Sequence, residues 1–341
     1  MGSASRVRSR IVDESDVRVR PGRRGSRPRT KRRPTYPDAV EAMVIGVDRG
    51  RWTCVPGGDA NQPRVYAMRA RELRRQQIVV GDRVRLVGDL SGNPDTLARI
   101  VGVEDRTTVL RRTADDTDPV ERVVVANADQ LVIVTAVAEP PPRPGFVDRC
   151  LVAAYSGGLE PLLCLTKTDL ADPAPFAALY ADLDVAIVTT RYDRPPTELA
   201  AALAGRVSAL IGQSGVGKST LVNALVPNAD RAIGELSAAG KGRHTTTAAL
   251  ALPLPGPKGG WVVDTPGVRS FGLAHVTPDD VIAAFDDLAE AAEDCPRGCG
   301  HLGPPGDPEC ALDVEVEQGR LRPTRLATVR RVLAALREPA W

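Results

Sequence analysis

Long hydrophobic runs are missing from this chain. The longest, Leu131 to Ala138, falls far short of the roughly 20 apolar residues that cross a bilayer, so no membrane span is expected. The first twenty residues are arginine-rich, contain acids and carry no apolar core of a leader, which argues against a secretory signal and for a cytoplasmic protein. Cysteine is sparse as well. Of six, three crowd into one short segment with a histidine, whereas Cys54, Cys150 and Cys164 stand apart in apolar surroundings and read as small buried hydrophobes. Reduced thiols with one metal site fit this distribution better than three disulfides. Aromatic residues make only 4% of the chain, and lysine occurs five times against forty arginines, a coding bias that turns each lysine into a marker.

What is present is ordinary globular material, with 43% apolar and 26% charged residues over 341 positions. That length predicts two or three domains with ample core and excludes a peptide hormone or a lone zinc finger. The net charge of +2 hides a division at Asp38: residues 1–38 hold twelve Lys/Arg against four Asp/Glu, giving +8, so the remainder carries −6. The tail, with VRVRPGRRGSRPRTKRRP, has almost no large apolar side chains to offset its ordering entropy and is expected to be disordered alone. A flexible polycation suits phosphate backbones; a solubilising extension is the plainer alternative.

From Ala39 to about Glu104, short alternating runs (MVIGV, RWTCV, VYAM, VVGDRVRLVGD, ARIVGV) are separated by turn signals. Five short strands in this span fit an OB-type barrel, although strand count alone equally allows an SH3-like one. Only Trp52 and Tyr66 offer rings here, so nucleic-acid contact is expected through backbone or shape. From Val123 the rhythm changes. Apolar strands QLVIVTAV, PLLCL, VAIVT, VSALI, ALALPL and WVVD alternate with helices expected over Gly145–Ser156, near Pro173–Leu183, near Pro196–Ala204 and from Gly217. This is the pattern of a parallel sheet covered on both faces. After Val276 a helix is expected over Pro278–Glu293, opened by Thr277, followed by the cysteine cluster and a basic helix over Arg322–Glu338.

Directly after VSALI comes Gly212-Gln213-Ser214-Gly215-Val216-Gly217-Lys218-Ser219-Thr220, a full phosphate-loop match in its strand-loop-helix setting. Its glycines permit a nest of backbone N–H groups, and the helix N-terminus adds its positive end. Lys218 is expected on the β- and γ-phosphates and the Ser219 hydroxyl on Mg²⁺. An arginine fork cannot replace a compact ammonium in such a nest. Downstream, Asp264-Thr265-Pro266-Gly267 ends a strand, with Asp264 the expected Mg²⁺ partner through water and the Gly267 amide the γ-phosphate sensor. No base-reading motif follows. Upstream, Thr166-Lys167-Thr168-Asp169 ends the strand PLLCL, on the edge where ligands bind in open α/β sheets. The Asp169 carboxylate can accept from guanine N1–H and N2–H₂, donors adenine lacks in that arrangement, while the Lys167 stem lies along the purine. The motif order is therefore a circular permutation of the usual GTPase. Finally, Cys295, Cys299, His301 and Cys310 form C-x₃-C-x-H-x₈-C, a donor set for one closed tetrahedral Zn²⁺ site that would organise a segment too small for a core.

The permuted order, the Gly242-Arg243-His244-Thr245-Thr246-Thr247 segment, DTPGVRSFGL, RVVVANADQLVIVTAV and the Cys/His cluster together resemble the ribosome small subunit-dependent GTPase A family, over most of the chain from Asp16 onward. The resemblance implies an OB domain, a circularly permuted α/β P-loop GTPase and a zinc-binding helical domain, acting in late maturation of the small (30S) ribosomal subunit and stimulated by it. GTP and GDP, the small subunit and its 16S rRNA are the implied partners, Mg²⁺ and one Zn²⁺ the cofactors. Domains are expected at 39–115, 116–275 and 276–341 after the tail 1–38, in a monomer. Two departures stand out: Thr166 replaces the usual asparagine, and Thr189-Thr190 stands where Ser-Ala is usual.

Hydrolysis needs a positioned water, yet Val268 occupies the place where small GTPases carry glutamine, so isolated turnover is expected to be slow. His244 has two equal readings: delivered to the γ-phosphate when an RNA partner orders its segment, or a loop histidine that contacts RNA. Thr246 or Thr247 is the threonine expected to close on Mg²⁺. A nucleotide-gated RNA-binding assembly factor with incidental hydrolysis, and an ATPase with a coincidental TKTD, are the competing functions.

Overall fold

A computed structural model describes residues 35–73, 76–113, 121–227, 229, 249–265, 273 and 276–337. The basic tail, His244, Thr246, Thr247, Gly267 and Val268 lie outside the described residues. One compact unit runs from Tyr36 to Trp341.

Five strands form first: β1 (Val40–Asp48), β2 (Arg51–Pro56), β3 (Val65–Arg69), β4 (Arg83–Val87) and β5 (Ala98–Val103). Their order is β1-β2-β3-β5-β4, and β4 pairs back onto β1, so the sheet closes. All neighbours are antiparallel except β3 with β5. This order, with β3 parallel to β5 and β4 returning to β1, is OB-like, and its closure removes free edges. Alternation does the filling: Val84 and Leu86 point in while Arg83 and Arg85 point out, and Val44, Cys54, Ala67 and Ile100 complete the interior. Burial pushes the Cys54 thiol up to about 12, as expected of an inert packing residue.

A two-stranded ribbon not anticipated from the sequence follows, β6 (Val109–Thr113) with β7 (Glu121–Ala126), spanning the expected divide at 115/116. It sits on the barrel at Gly81, where a Cβ would lie 1.8 Å from the Ala126 carbonyl oxygen, so only glycine at its φ of +88° admits this approach. The buried Asp82 beside it accepts from the Val79 N–H at 2.7 Å and from Arg106 Nε at 2.7 Å.

The second sheet runs β10-β9-β8-β11-β13-β12, from β8 (Gln130–Ala136), β9 (Glu160–Thr166), β10 (Ala186–Thr189), β11 (Val207–Gly212), β12 (Leu250–Pro253) and β13 (Trp261–Asp264). Only β12 is antiparallel to its neighbour. Every residue of β8 is buried, as a central parallel strand requires. The chain leaves β8 toward β9 and later returns on its other side as β11, so β8 and β11 bound a topological switch point at their carboxyl ends. Helices α1 (Pro144–Ser156), α3 (Thr197–Leu203) and α4 (Lys218–Leu225) lie close to the expected spans. The helix expected near Pro173–Leu183 shrinks to α2 (Ala174–Ala177) and one 3₁₀ turn over Ala178–Tyr180, and the Leu179 and Asp182 carbonyls accept from Arg331 and Arg325. Barrel and sheet join where Gly46 of β1 pairs with Leu250 of β12, next to a bulge in β1.

After Val276 come α5 (Pro278–Ile282), α6 (Asp286–Ala292), α7 (Ala311–Glu317) and α8 (Pro323–Ala334). The single helix expected over Pro278–Glu293 is broken at Phe285, whose extended backbone turns its ring into the core, 4.9 Å from the Tyr155 ring and 5.5 Å beneath the Arg325 guanidinium. Thr277 does open α5, in a capping box with Asp280. Arginines of α8 fasten this module to the sheet domain. Arg325 donates to Asp287 twice (2.7 and 2.8 Å), to the Asp182 carbonyl (2.7 Å) and to Asp184 (2.7 Å), while Arg331 reaches Asp148 at 3.2 Å and lies over the Tyr180 ring. The Arg325 side chain is only 9% exposed, but Asp184 and Asp287 keep 74% and 47% of their side-chain surface. Arg325→Ala should therefore cost about 1–3 kcal/mol, less than a fully buried pair, read as a lower midpoint in denaturant unfolding.

Candidate functional site

Two loops meet at the carboxyl edge of the parallel strands. The first leaves β11 at Gly212, where a Cβ would lie 2.6 Å from the Val134 carbonyl oxygen of β8, and turns through Gly215 and Gly217 in left-handed conformations (φ +80° and +94°). Val216 is buried and anchors the loop from below. Helix α4 then starts at Lys218 with no side chain capping it, which leaves its first N–H groups available to an anion. Leu221, Val222 and Leu225 bury the inner face of α4 and fix its direction. Ser214, Ser219 and Thr220 are exposed, Gln213 half-buried. The Lys218 ammonium pairs with the Asp264 carboxylate at the end of β13, both groups partly buried. Thr265 locks that strand end by donating to the Leu210 carbonyl of β11 at 2.6 Å.

The second loop leaves β9. Thr166 is buried, and its hydroxyl donates to the Val216 carbonyl oxygen in the first loop at 2.6 Å. Lys167 takes a left-handed conformation (φ +58°) and its ammonium donates to the Glu139 carbonyl, in the segment that follows β8. Thr168 is held by the Thr190 carbonyl, through its N–H at 3.4 Å and its hydroxyl at 3.3 Å, and the Thr190 N–H returns to Leu165 at 2.8 Å. Asp169 is exposed on this edge. The structure thus brings Thr166 to Asp169, Gly212 to Thr220 and Asp264 to one rim. It also adds the Glu139-Pro140 segment, which the sequence reading did not single out although the run EPPPR after an apolar strand signals a rigid turn. Thr166→Val keeps the shape but strips the Val216 carbonyl of its donor; about 1–3 kcal/mol of destabilisation is expected in thermal or denaturant unfolding.

A separate cluster lies in the C-terminal module. The donor atoms of Cys295, Cys299, His301 and Cys310 all fall within 4.8 Å of one another. A tetrahedral ion with Zn–S bonds near 2.3 Å spaces its sulfurs about 3.8 Å apart, so this donor set can hold a zinc ion. Backbone amides already point at two sulfurs: Ala311 N–H at 3.3 Å from Cys295 Sγ and His301 N–H at 3.4 Å from Cys299 Sγ. Burial, followed by the neighbouring thiols, pushes Cys299 up to about 12, and burial also raises Cys295; a bound cation relieves this by favouring the thiolates. The loop is pinned by Asp307, which accepts from the Gly300 and Leu302 N–H groups, and by Arg330, which donates to the His301 carbonyl and twice to Asp313.

The family described as RsgA GTPase matches residues 103–274. Among curated proteins, a small ribosomal subunit biogenesis GTPase RsgA of Pseudomonas aeruginosa is 44% identical over 225 residues, covering 63% of this chain and 65%, just under two thirds, of that protein. One of the same name from Pseudomonas fluorescens is 39% identical over 274 residues, covering 77% of this chain and 76% of its own. Among solved structures, YjeQ from Thermotoga maritima aligns at a TM-score of 0.61 and 27% identity, over 87% of this chain and 98% of that one. YloQ, titled a circularly permuted GTPase, aligns at 0.62 and 23% identity, over 89% and 97%, and shares the fold.

Proposed function

Because the chain belongs to the RsgA GTPase family, we propose that it hydrolyses GTP to GDP and phosphate in late maturation of the small (30S) ribosomal subunit, stimulated by that subunit. The observation that carries this reading is the Thr166 bond to Val216, which joins a base-reading loop to a phosphate loop across one sheet edge. Asp169 selects guanine and the Lys167 stem covers its face. The nest from Gly212 to Gly217 takes the phosphates, with Lys218 moving from Asp264 onto their outer oxygens. Ser219, Asp264 and one of Thr246 or Thr247 hold Mg²⁺, which supplies charge neutralisation at the phosphates when bound. Gly267 senses the γ-phosphate, and His244 serves hydrolysis or RNA contact. RNA is bound by the OB-type barrel of the domain 39–115 and by the basic tail 1–38, with residues 116–275 the GTPase domain and residues 276–341 a module built on one zinc ion. The partner RNA is the 16S rRNA, and the protein works as a cytoplasmic monomer. No helix among the described residues is long and apolar enough to cross a membrane.

Three measurements test the reading. Multiple-turnover GTP hydrolysis should rise about tenfold or more with purified small subunits, equivalent to roughly 1.4 kcal/mol of barrier. An unchanged kcat would instead mark a nucleotide-gated binding factor. Asp169→Ala removes two charge-assisted acceptors and should weaken GTP binding about a hundredfold in fluorescent-nucleotide titrations, with ATP a poor competitor for the unaltered protein. ATP displacing GTP at equal concentration would mark an ATPase. Metal analysis of the purified protein should give about one zinc per chain, lost together with folding of the module in Cys310→Ser.

A further inference from the structure

We propose that Asp279, which is not a metal ligand, positions His301 for the metal and so ties the cysteine cluster to the chain leaving β13. The inference rests on the zinc reading of that cluster. His301 is 2% exposed, and its two ring nitrogens face different partners. Nδ1 lies 3.5 Å from Cys295 Sγ, inside the cluster, and Nε2 lies 2.7 Å from Asp279 Oδ1. In a neutral imidazole one nitrogen carries the proton and the other the lone pair. A carboxylate only accepts, so Asp279 holds the proton on Nε2 and leaves the Nδ1 lone pair turned to the sulfurs. That is the tautomer and the ring face a metal requires.

The backbone cannot make this choice. Asp307 and Arg330 fix the Gly300 and Leu302 amides and the His301 carbonyl, and they hold His301 at a φ of +56°, but none of these bonds touches the ring. Rotation about the Cβ–Cγ bond would exchange Nδ1 for a carbon, and the Asp279 bond is the contact that opposes it. Asp279 itself is set by α5, whose capping box and buried Val281 and Ile282 hold the helix in place. This helix starts fourteen positions beyond Asp264, the first described helix after that strand. A ligand of the cluster and the chain leaving the candidate nucleotide edge are therefore joined by one hydrogen bond.

The test uses full-length protein stripped of metal by chelation. Zn²⁺ affinity is measured by competition with a chromophoric chelator, and the ligand field by the visible bands of the Co²⁺ form. Asp279 is 80% exposed, so the expected loss is at the lower end for such partners: about tenfold for Asp279→Ala and less for Asp279→Asn, with Asp279→Glu restoring most of it. Alanine is the sharper variant, because it leaves Nε2 without an acceptor, whereas an asparagine carbonyl can still accept from Nε2–H. The Co²⁺ bands of Asp279→Ala should shift as imidazole is lost from the ligand set. Asp280→Asn removes a neighbouring charge but keeps an amide oxygen to accept in the capping box, so α5 and Asp279 stay in place and Zn²⁺ affinity should be unchanged. Unaltered affinity in Asp279→Ala, or an equal loss in Asp280→Asn, would overturn the positioning role while leaving the zinc site standing. Failure of the unaltered protein to bind Zn²⁺ would remove both.

Discussion

The hydroxyl of Thr166 and the carbonyl of Val216 are fifty positions apart in the chain and 2.6 Å apart in space. Much of the candidate nucleotide edge depends on that bond. Neither loop is rigid by composition: one is rich in glycine, and the other places Lys167 in a left-handed conformation that its side chain disfavours. Each is held by the strand it leaves and by its neighbour. An asparagine at position 166 would offer both a donor and an acceptor, whereas threonine offers one short hydroxyl. It reaches because β8 lies between β9 and β11 and pairs with both, setting Thr166 opposite Ala136 and Gly212 opposite Val134, so that the loop beyond Gly212 rises beside Thr166. The parallel register and the hydroxyl are thus parts of one constraint, since a shift of either strand by one residue would turn Thr166 away from Val216.

How much of this was legible in the sequence varied with the physics behind each feature. The barrel strands and the parallel strands were readable because period-two alternation and continuous apolar runs reflect burial on one face or two. The phosphate loop was readable because its glycines and lysine are demanded by local geometry. The helix expected over Pro278–Glu293 was misread because its interruption has no local signal. Phe285 fits a helical pattern, but its ring turns inward against Tyr155 and Arg325, both distant in sequence. The β6–β7 ribbon was missed for a related reason: its footing is the close approach of Gly81 to Ala126, a long-range contact that periodicity cannot report. At the candidate site, the base-reading and phosphate motifs were visible, but the Glu139 carbonyl that receives Lys167 and the Thr190 carbonyl that receives Thr168 are backbone groups, without any side-chain signature.

The bias toward arginine shapes the rest of the architecture. Where a helix must be fastened to a loop of another element, a planar fork with five donors can satisfy a carboxylate and a carbonyl at once, and Arg325 does so with Asp287, Asp184 and Asp182. A compact ammonium suits the opposite situation, a small nest of converging oxygens. Of the two lysines at the candidate site, Lys218 pairs with the Asp264 carboxylate beside the phosphate loop and Lys167 donates to the single Glu139 carbonyl.

The same contrast separates the two ends of the chain that leaves β13. At its start, Asp264 and Lys218 form a pair whose partners are exchangeable, since an anion and a cation entering the site would claim one each. Farther on, α5 is fixed by a capping box, two buried aliphatic residues and the Asp279 bond to His301. Among the described residues, the Asp279 bond therefore joins α5 to the Cys/His cluster, while the Lys218 pair joins the end of β13 to the phosphate loop, so that the two ends are tied to different sets of groups.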